Sequence, residues 1–110
     1  MNSAPIIDQY DLSSLKLVSS GAAPLPTELA YGVRKRLEAR GAHVNITNGY
    51  GMTETSCASH LVSVNKAWEK MGSVGQLFSN LEARLVDDDG KDVPVGQRGE
   101  IWLRGPVIMK

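Results

Sequence analysis

The strongest constraint on this chain is an order that occurs twice: a short apolar run followed by a run of small residues. Leu15-Lys16-Leu17-Val18 leads into Ser19-Ser20-Gly21-Ala22-Ala23-Pro24, and His43-Val44-Asn45-Ile46-Thr47 leads into Asn48-Gly49-Tyr50-Gly51-Met52-Thr53-Glu54. Between them, Leu29, Val33 and Leu37 recur every four residues, which predicts a helix from about Pro26 to Arg40. Pro26 suits the first turn and Glu28 the positive helix start; Lys35, Arg36 and Arg40 sit late, and Gly41 is a natural stop. Strand, loop, helix, strand, loop is the signature of an α/β unit with a parallel sheet. Ligands of such sheets gather at the carboxyl ends of the strands, where both small-residue loops fall.

The pattern changes after about residue 71. Gly72-Ser73-Val74-Gly75 reads as a loop, Leu81 to Val86 as a strand and Asp87-Asp88-Asp89-Gly90 as a turn. Glu100-Ile101-Trp102-Leu103-Arg104 alternates, with Ile101 and Leu103 on one face and Trp102 and Arg104 on the other. No helical period intervenes, so the expected division is a partial parallel-sheet α/β subdomain over 1–70 and the start of an antiparallel β subdomain over 71–110. Pro5 to Asp11 has room for one or two helical turns.

Composition narrows the partners. Twelve basic residues balance twelve acidic ones, which argues against nucleic acid or an anionic membrane, since both need clustered positive charge. A hydrophobic fraction of 42% with 22% charged residues is that of a globular protein. No apolar run approaches the roughly 20 residues that span a bilayer, and Met1 to Pro5 lacks the charged-then-apolar order of a signal peptide. Cys57 stands alone, so no internal disulfide forms; an intracellular compartment, cytoplasmic or peroxisomal, fits this.

Asn48 to Glu54 carries the most chemistry. Glycine lets a backbone approach a ligand closely, and Tyr50 offers a flat face to a planar group. Thr53 can donate to a phosphate oxygen, and the carboxylate of Glu54 suits Mg²⁺. Small side chains in Ser20 to Pro24 either leave a backbone edge open to a planar base or permit close strand–helix packing; the residues alone favour neither. This is not a P-loop, because the Gly-Lys-Ser/Thr ending is absent. His43 reads as a strand-end residue and His60 as a strand or loop residue, each without an evident nucleophile or orienting partner. Cys57 has no neighbouring base and reads as a small buried residue. Asp87 to Asp89 lacks the later ligands of a calcium loop.

Taken together, the chain resembles the adenylate-forming enzymes, which include acyl- and aryl-CoA ligases, luciferases and peptide-synthetase adenylation domains. Leu15 to Leu25 resembles the family's adenine-side strand and loop, and Asn48 to Glu54 its most characteristic nucleotide motif. Gly72 to Gly75 resembles a loop near the acyl pocket, and Arg98 to Pro106 the following β motif. Met52, where peptide-synthetase domains usually carry Pro, favours a 4-coumarate–CoA ligase-like or acyl-CoA synthetase parent.

The resemblance implies attack of a carboxylic acid on the α-phosphate of ATP, giving acyl-AMP, then transfer of the acyl group to a thiol, usually CoA. It implies that Gly21, Ala22 and Ala23 line the adenine, with Asn48, Gly49, Tyr50, Gly51 and Met52 completing the nucleotide loop. It likewise implies Thr53 on the phosphate, Glu54 on Mg²⁺, and Leu61, Gly72 and Gly75 at the acyl pocket. The family's upstream phosphate loop with its Lys, its downstream Thr-Gly-Asp motif and its C-terminal domain are not in these residues. The expectation is therefore a fragment that needs the missing parts of its parent chain, exposes apolar surface, folds marginally and lacks catalysis. The competing expectation is a non-catalytic nucleotide-binding or interaction module.

Overall fold

The computed structural model describes residues 5–109, so Met1 to Ala4, read above for a signal peptide, and Lys110 lie outside the described residues. A 3-10 turn over Pro5–Gln9 opens the described chain, followed by strand β1 (Leu17–Ser20), helix α1 (Thr27–Glu38) and strand β2 (Asn45–Tyr50). Short strands β3 (His60–Leu61) and β4 (Gln76–Leu77) follow, then β5 (Glu82–Val86) and β6 (Glu100–Arg104). β1 and β2 pair in parallel, Leu17 beside Asn45 through Ser20 beside Asn48, as the α/β order requires. β3 pairs antiparallel with β2, and β4 antiparallel with β3, giving one sheet in the order β1-β2-β3-β4. β5 and β6 form a separate antiparallel ribbon with Glu82 opposite Arg104.

The helix ends as its sequence demands. Gly41 adopts φ +77, the Ala42 N–H donates to Leu37 O at 3.0 Å and the Gly41 N–H to Glu38 O at 3.0 Å. These paired bonds are those of a Schellman ending, in which glycine takes the left-handed position. Ala30 and Leu37 bury the inner face of α1 against Ala42, Val44 and Ile46, and Leu12, Leu15, Val18, Leu25, Val33, Trp68 and Met71 pack around that cluster. Leu29 stays exposed, so the buried stripe runs through Ala30, Val33 and Leu37.

One boundary corrects the sequence reading. The second strand was expected over His43 to Thr47, with a loop from Asn48; it spans Asn45–Tyr50 instead. The cause is long-range: Gly49 pairs with Leu61 and Tyr50 with His60, so β3 supplies ladder partners that no local pattern announces. Cys57 is a second correction. It is exposed at φ +96 in the bend that returns the chain from the Thr53–Thr55 turn.

The chain is spread out. Its radius of gyration is 16.9 Å, against about 13 Å for a compact chain of this length. Its accessible surface is 8014 Å², where a compact protein of this mass exposes about 5,900 Å². Among the described residues, no helix is long and apolar enough to cross a membrane.

Gly75 shows how tightly the loop before β4 is seated. It stands at φ +87, and a Cβ there would lie 2.1 Å from both C and O of Leu61, whereas Gly96 at φ +89 faces open space. Gly96→Ala should cost only left-handed strain, about 1–2 kcal/mol. Gly75→Ala should lose a further 1–3 kcal/mol, roughly, from overpacking. Urea denaturation of both variants checks this, and equal losses would mean that β3 and the loop move apart freely.

Candidate functional site

Because β1 and β2 are parallel, their carboxyl ends emerge side by side, and the two small-residue loops leave the sheet together. Between them lies a cleft of about 300 Å³ lined by Ala22, Ala23, Pro24, Leu25, Asn48, Gly49, Tyr50, Gly51, Gly72 and Val74. A larger hollow of about 420 Å³ is lined only by Glu82, Arg84, Trp102, Leu103 and Arg104, all from β5 and β6. It is the open face of a two-stranded ribbon and contains no residue of either loop, so the smaller cleft is the candidate site.

Several features shape the cleft. Ala22 holds φ +65, a left-handed conformation that costs an L-residue about 1–2 kcal/mol and fixes the direction of the first loop. Gly51 has no room for a side chain, since a Cβ would meet Cys57 O at 1.9 Å. The far wall arrives on a segment fastened to α1: Tyr31 stacks on Trp68 with ring centroids 5.7 Å apart, and the Arg34 guanidinium sits 4.2 Å from the Trp68 ring centroid. Trp68 and Met71 pack on the core just before the chain delivers Gly72 and Val74 to the cleft.

The polar inventory contains one anomaly. Asn48 Oδ1 is buried without a hydrogen-bond partner among the described residues. A buried acceptor left unpaired costs about 1–3 kcal/mol, so this atom is set to receive a donor. Beyond the cleft, Thr53 and Glu54 are exposed on a 3-10 turn held by buried Thr55, whose Oγ1 accepts from the Met52 N–H at 3.1 Å and donates to Met52 O at 2.9 Å. No cluster of three or more His, Cys, Asp or Glu suited to a metal occurs among the described residues.

Of the residues singled out by sequence, Ala22, Ala23, Asn48, Gly49, Tyr50, Gly51 and Gly72 meet at the cleft. Gly21, Met52, Thr53, Glu54, Leu61 and Gly75 are not among its lining residues. Leu61 lies behind Gly49, with Cδ1 3.2 Å from the position of a Cβ on that glycine. Leu25 and Val74 line the cleft without having been singled out as site residues. Their signal was the motif alone: Leu25 closes the run Leu15 to Leu25, and Val74 lies within Gly72 to Gly75.

The family profile described as AMP-binding enzyme matches residues 1–110. The chain belongs to the AMP-binding enzyme family. A 4-coumarate–CoA ligase-like protein of Arabidopsis thaliana is 42% identical over 103 residues, covering 93% of this chain and 18% of that protein. Luciferin 4-monooxygenase of Photinus pyralis is 44% identical over 105 residues, covering 94% of this chain and 18% of the relative. Among solved structures, an anthranilate CoA ligase in complex with anthranoyl-AMP superposes with a TM-score of 0.79 at 34% identity, covering 97% of this chain and 19% of that one. The chain thus spans about a fifth of the length of the relatives it matches.

His60 offers a pH handle on the same region. Its Nδ1 lies 2.9 Å from Ser59 Oγ, its ring is 6.0 Å from that of Tyr50, and burial lowers its pKa below the ordinary 6.5. The folded chain therefore favours the neutral ring, while the unfolded chain takes up the proton more readily. Stability should be complete above 6.5 and fall as pH drops from 6.5 through the folded value. Chemical denaturation across about pH 5 to 8 should show that decline, and His60→Gln should flatten it. An undiminished decline in the variant would assign the titration to another group.

Proposed function

We propose that the cleft binds the adenine end of ATP or AMP, and that the chain is part of an enzyme joining a carboxylic acid to CoA through an acyl-AMP. The observation that carries this reading is a cleft lined by Tyr50, small residues and Asn48, whose buried Oδ1 has no partner among the described residues. The exocyclic amine of adenine is a donor of the kind that acceptor lacks, and the purine is a planar group for the tyrosine face. Family membership and relatives named as CoA ligases, one of them holding an acyl-AMP, support the same reading.

In this proposal Gly21 to Ala23 and Asn48 to Met52 hold the base, and Leu61, Gly72 and Gly75 shape the wall of the acyl pocket. Thr53 donates to a phosphate oxygen, and Glu54 is a ligand for Mg²⁺ that arrives with the nucleotide. One carboxylate fits that task, because Mg²⁺ is ordinarily held by one or two carboxylates together with substrate phosphates and water. When bound, the ion offsets the negative charge that builds on the phosphate. We propose also that residues 1–70 and 71–110 belong to two subdomains of a larger enzyme.

Thr53 and Glu54 lie outside the cleft lining, which favours a second reading in which the chain binds nucleotide without catalysis. Calorimetric titration of the chain with AMP tests what both readings share. Asn48→Ala should weaken AMP binding about tenfold, the loss of one buried hydrogen bond. Unchanged affinity would sink the adenine assignment. ATP- and CoA-dependent thioester formation by the wild-type chain would decide for catalysis over simple binding.

A further inference from the structure

The turn carrying Thr53 and Glu54 is gripped from outside as well as from within. The Met109 N–H donates to Glu54 O at 2.8 Å, and the Ser56 hydroxyl donates to Val107 O at 2.7 Å. Both partners belong to the segment that follows β6, so two hydrogen bonds tie the turn to the β5–β6 ribbon across about fifty residues of sequence. The segment is itself seated where it leaves β6: a Cβ on Gly105 would lie 2.4 Å from Leu81 Cδ2 and 2.7 Å from Asn80 O. Its own bend is closed by the Ile108 N–H on Gly105 O at 3.2 Å.

The turn needs such a grip. Ser56 and Cys57 follow it at φ +50 and φ +96, two successive residues of positive φ, and the turn's own main-chain bonds are Thr55 N–H to Met52 O and Ser56 N–H to Thr53 O, each at 3.0 Å. Thr55 anchors the turn inward to Met52, but the Glu54 side chain is exposed. What fixes the direction of its Cα–Cβ bond on the outer side is the bond from Met109 to its carbonyl, supported one turn later by Ser56 on Val107.

We propose that residues 105–109 form a strap through which the β5–β6 ribbon sets the orientation of Thr53 and Glu54, with Ser56 as a positioning residue. The ribbon then contributes to the metal and phosphate end of the site without touching nucleotide. This rests on the functional reading above only for what Glu54 holds; the strap itself is a property of the fold.

Two measurements on the full chain test it. In the first, amide hydrogen exchange is followed at Thr55, Ser56 and Met109 in wild type, Ser56→Ala and Ser56→Asn. Asparagine tolerates the left-handed backbone and keeps a donor, so it serves as the rescue. Ser56→Ala should speed exchange at these amides about two- to tenfold, the range for one net hydrogen bond, while Ser56→Asn stays near wild type. No change in Ser56→Ala would overturn the strap. In the second, affinities for AMP without metal and for ATP with and without Mg²⁺ are measured. Ser56→Ala should reduce the gain that Mg²⁺ gives to ATP binding and leave AMP binding unchanged. Equal weakening of AMP and Mg²⁺-ATP would overturn the positioning role, because it would mean general loosening. Faster exchange in a chain whose wild type gains nothing from Mg²⁺ would uphold the strap and overturn the assignment of Glu54 to the metal.

Discussion

The site hangs on β2. Along one edge this strand pairs in parallel with β1, and at its far end Gly49 and Tyr50 pair antiparallel with Leu61 and His60. The parallel half sends the loop after Ser20 and the loop after Tyr50 out of the same end of the sheet. The antiparallel half brings β3 behind Gly49, and with it the segment that loops round through Trp68 to the cleft wall. A single six-residue strand therefore sets the spacing of the first small-residue loop, Tyr50 and the far wall. Val44 and Ile46, in and just before β2, are also the residues against which Ala30 and Leu37 bury the helix. Packing and site geometry depend on the same stretch of backbone.

The proportions of the molecule bear on how that geometry is kept. The apolar cluster around α1 and β2 is small, and large apolar side chains such as Tyr10, Phe78, Val95 and Trp102 stand exposed. With one net hydrogen bond worth about 1 kcal/mol, the few bonds between the Thr53–Ser56 turn and the end of the ribbon form a thin connection. Local anchors matter more under these conditions: the buried Thr55 hydroxyl, the Tyr31–Trp68–Arg34 stack and the crowded glycines at 51 and 75 each fix a short stretch without relying on a large core. The relatives are about five times longer than this chain.

Local signals were legible in the sequence and distant ones were not. The period of Val33 and Leu37, the Gly41 stop and the alternation of Ile101 and Leu103 each rest on neighbours within a turn or a strand, and each is found in the fold. The extension of β2 through Tyr50 depends on β3, ten residues further on, and β3 and β4 are only two residues long, too short for a period to announce. Cys57 was misplaced for a related reason: small and apolar, it reads as interior, yet the left-handed bend after Ser56 turns it outward. For the cleft, the two glycine-bearing loops were visible because small residues after a strand are unusual. Leu25 and Val74 fell inside the matched motifs but drew no site role, since an apolar residue beside a loop looks the same whether it faces a core or a ligand.

The four-stranded sheet ends at β1, which among the described residues is paired on one side only. An open strand edge presents a row of N–H and C=O groups in the spacing that another strand requires, and half-exposed Leu17 stands on this one. Such an edge is a template. An extended segment that paired with it would satisfy those groups and cover Leu17.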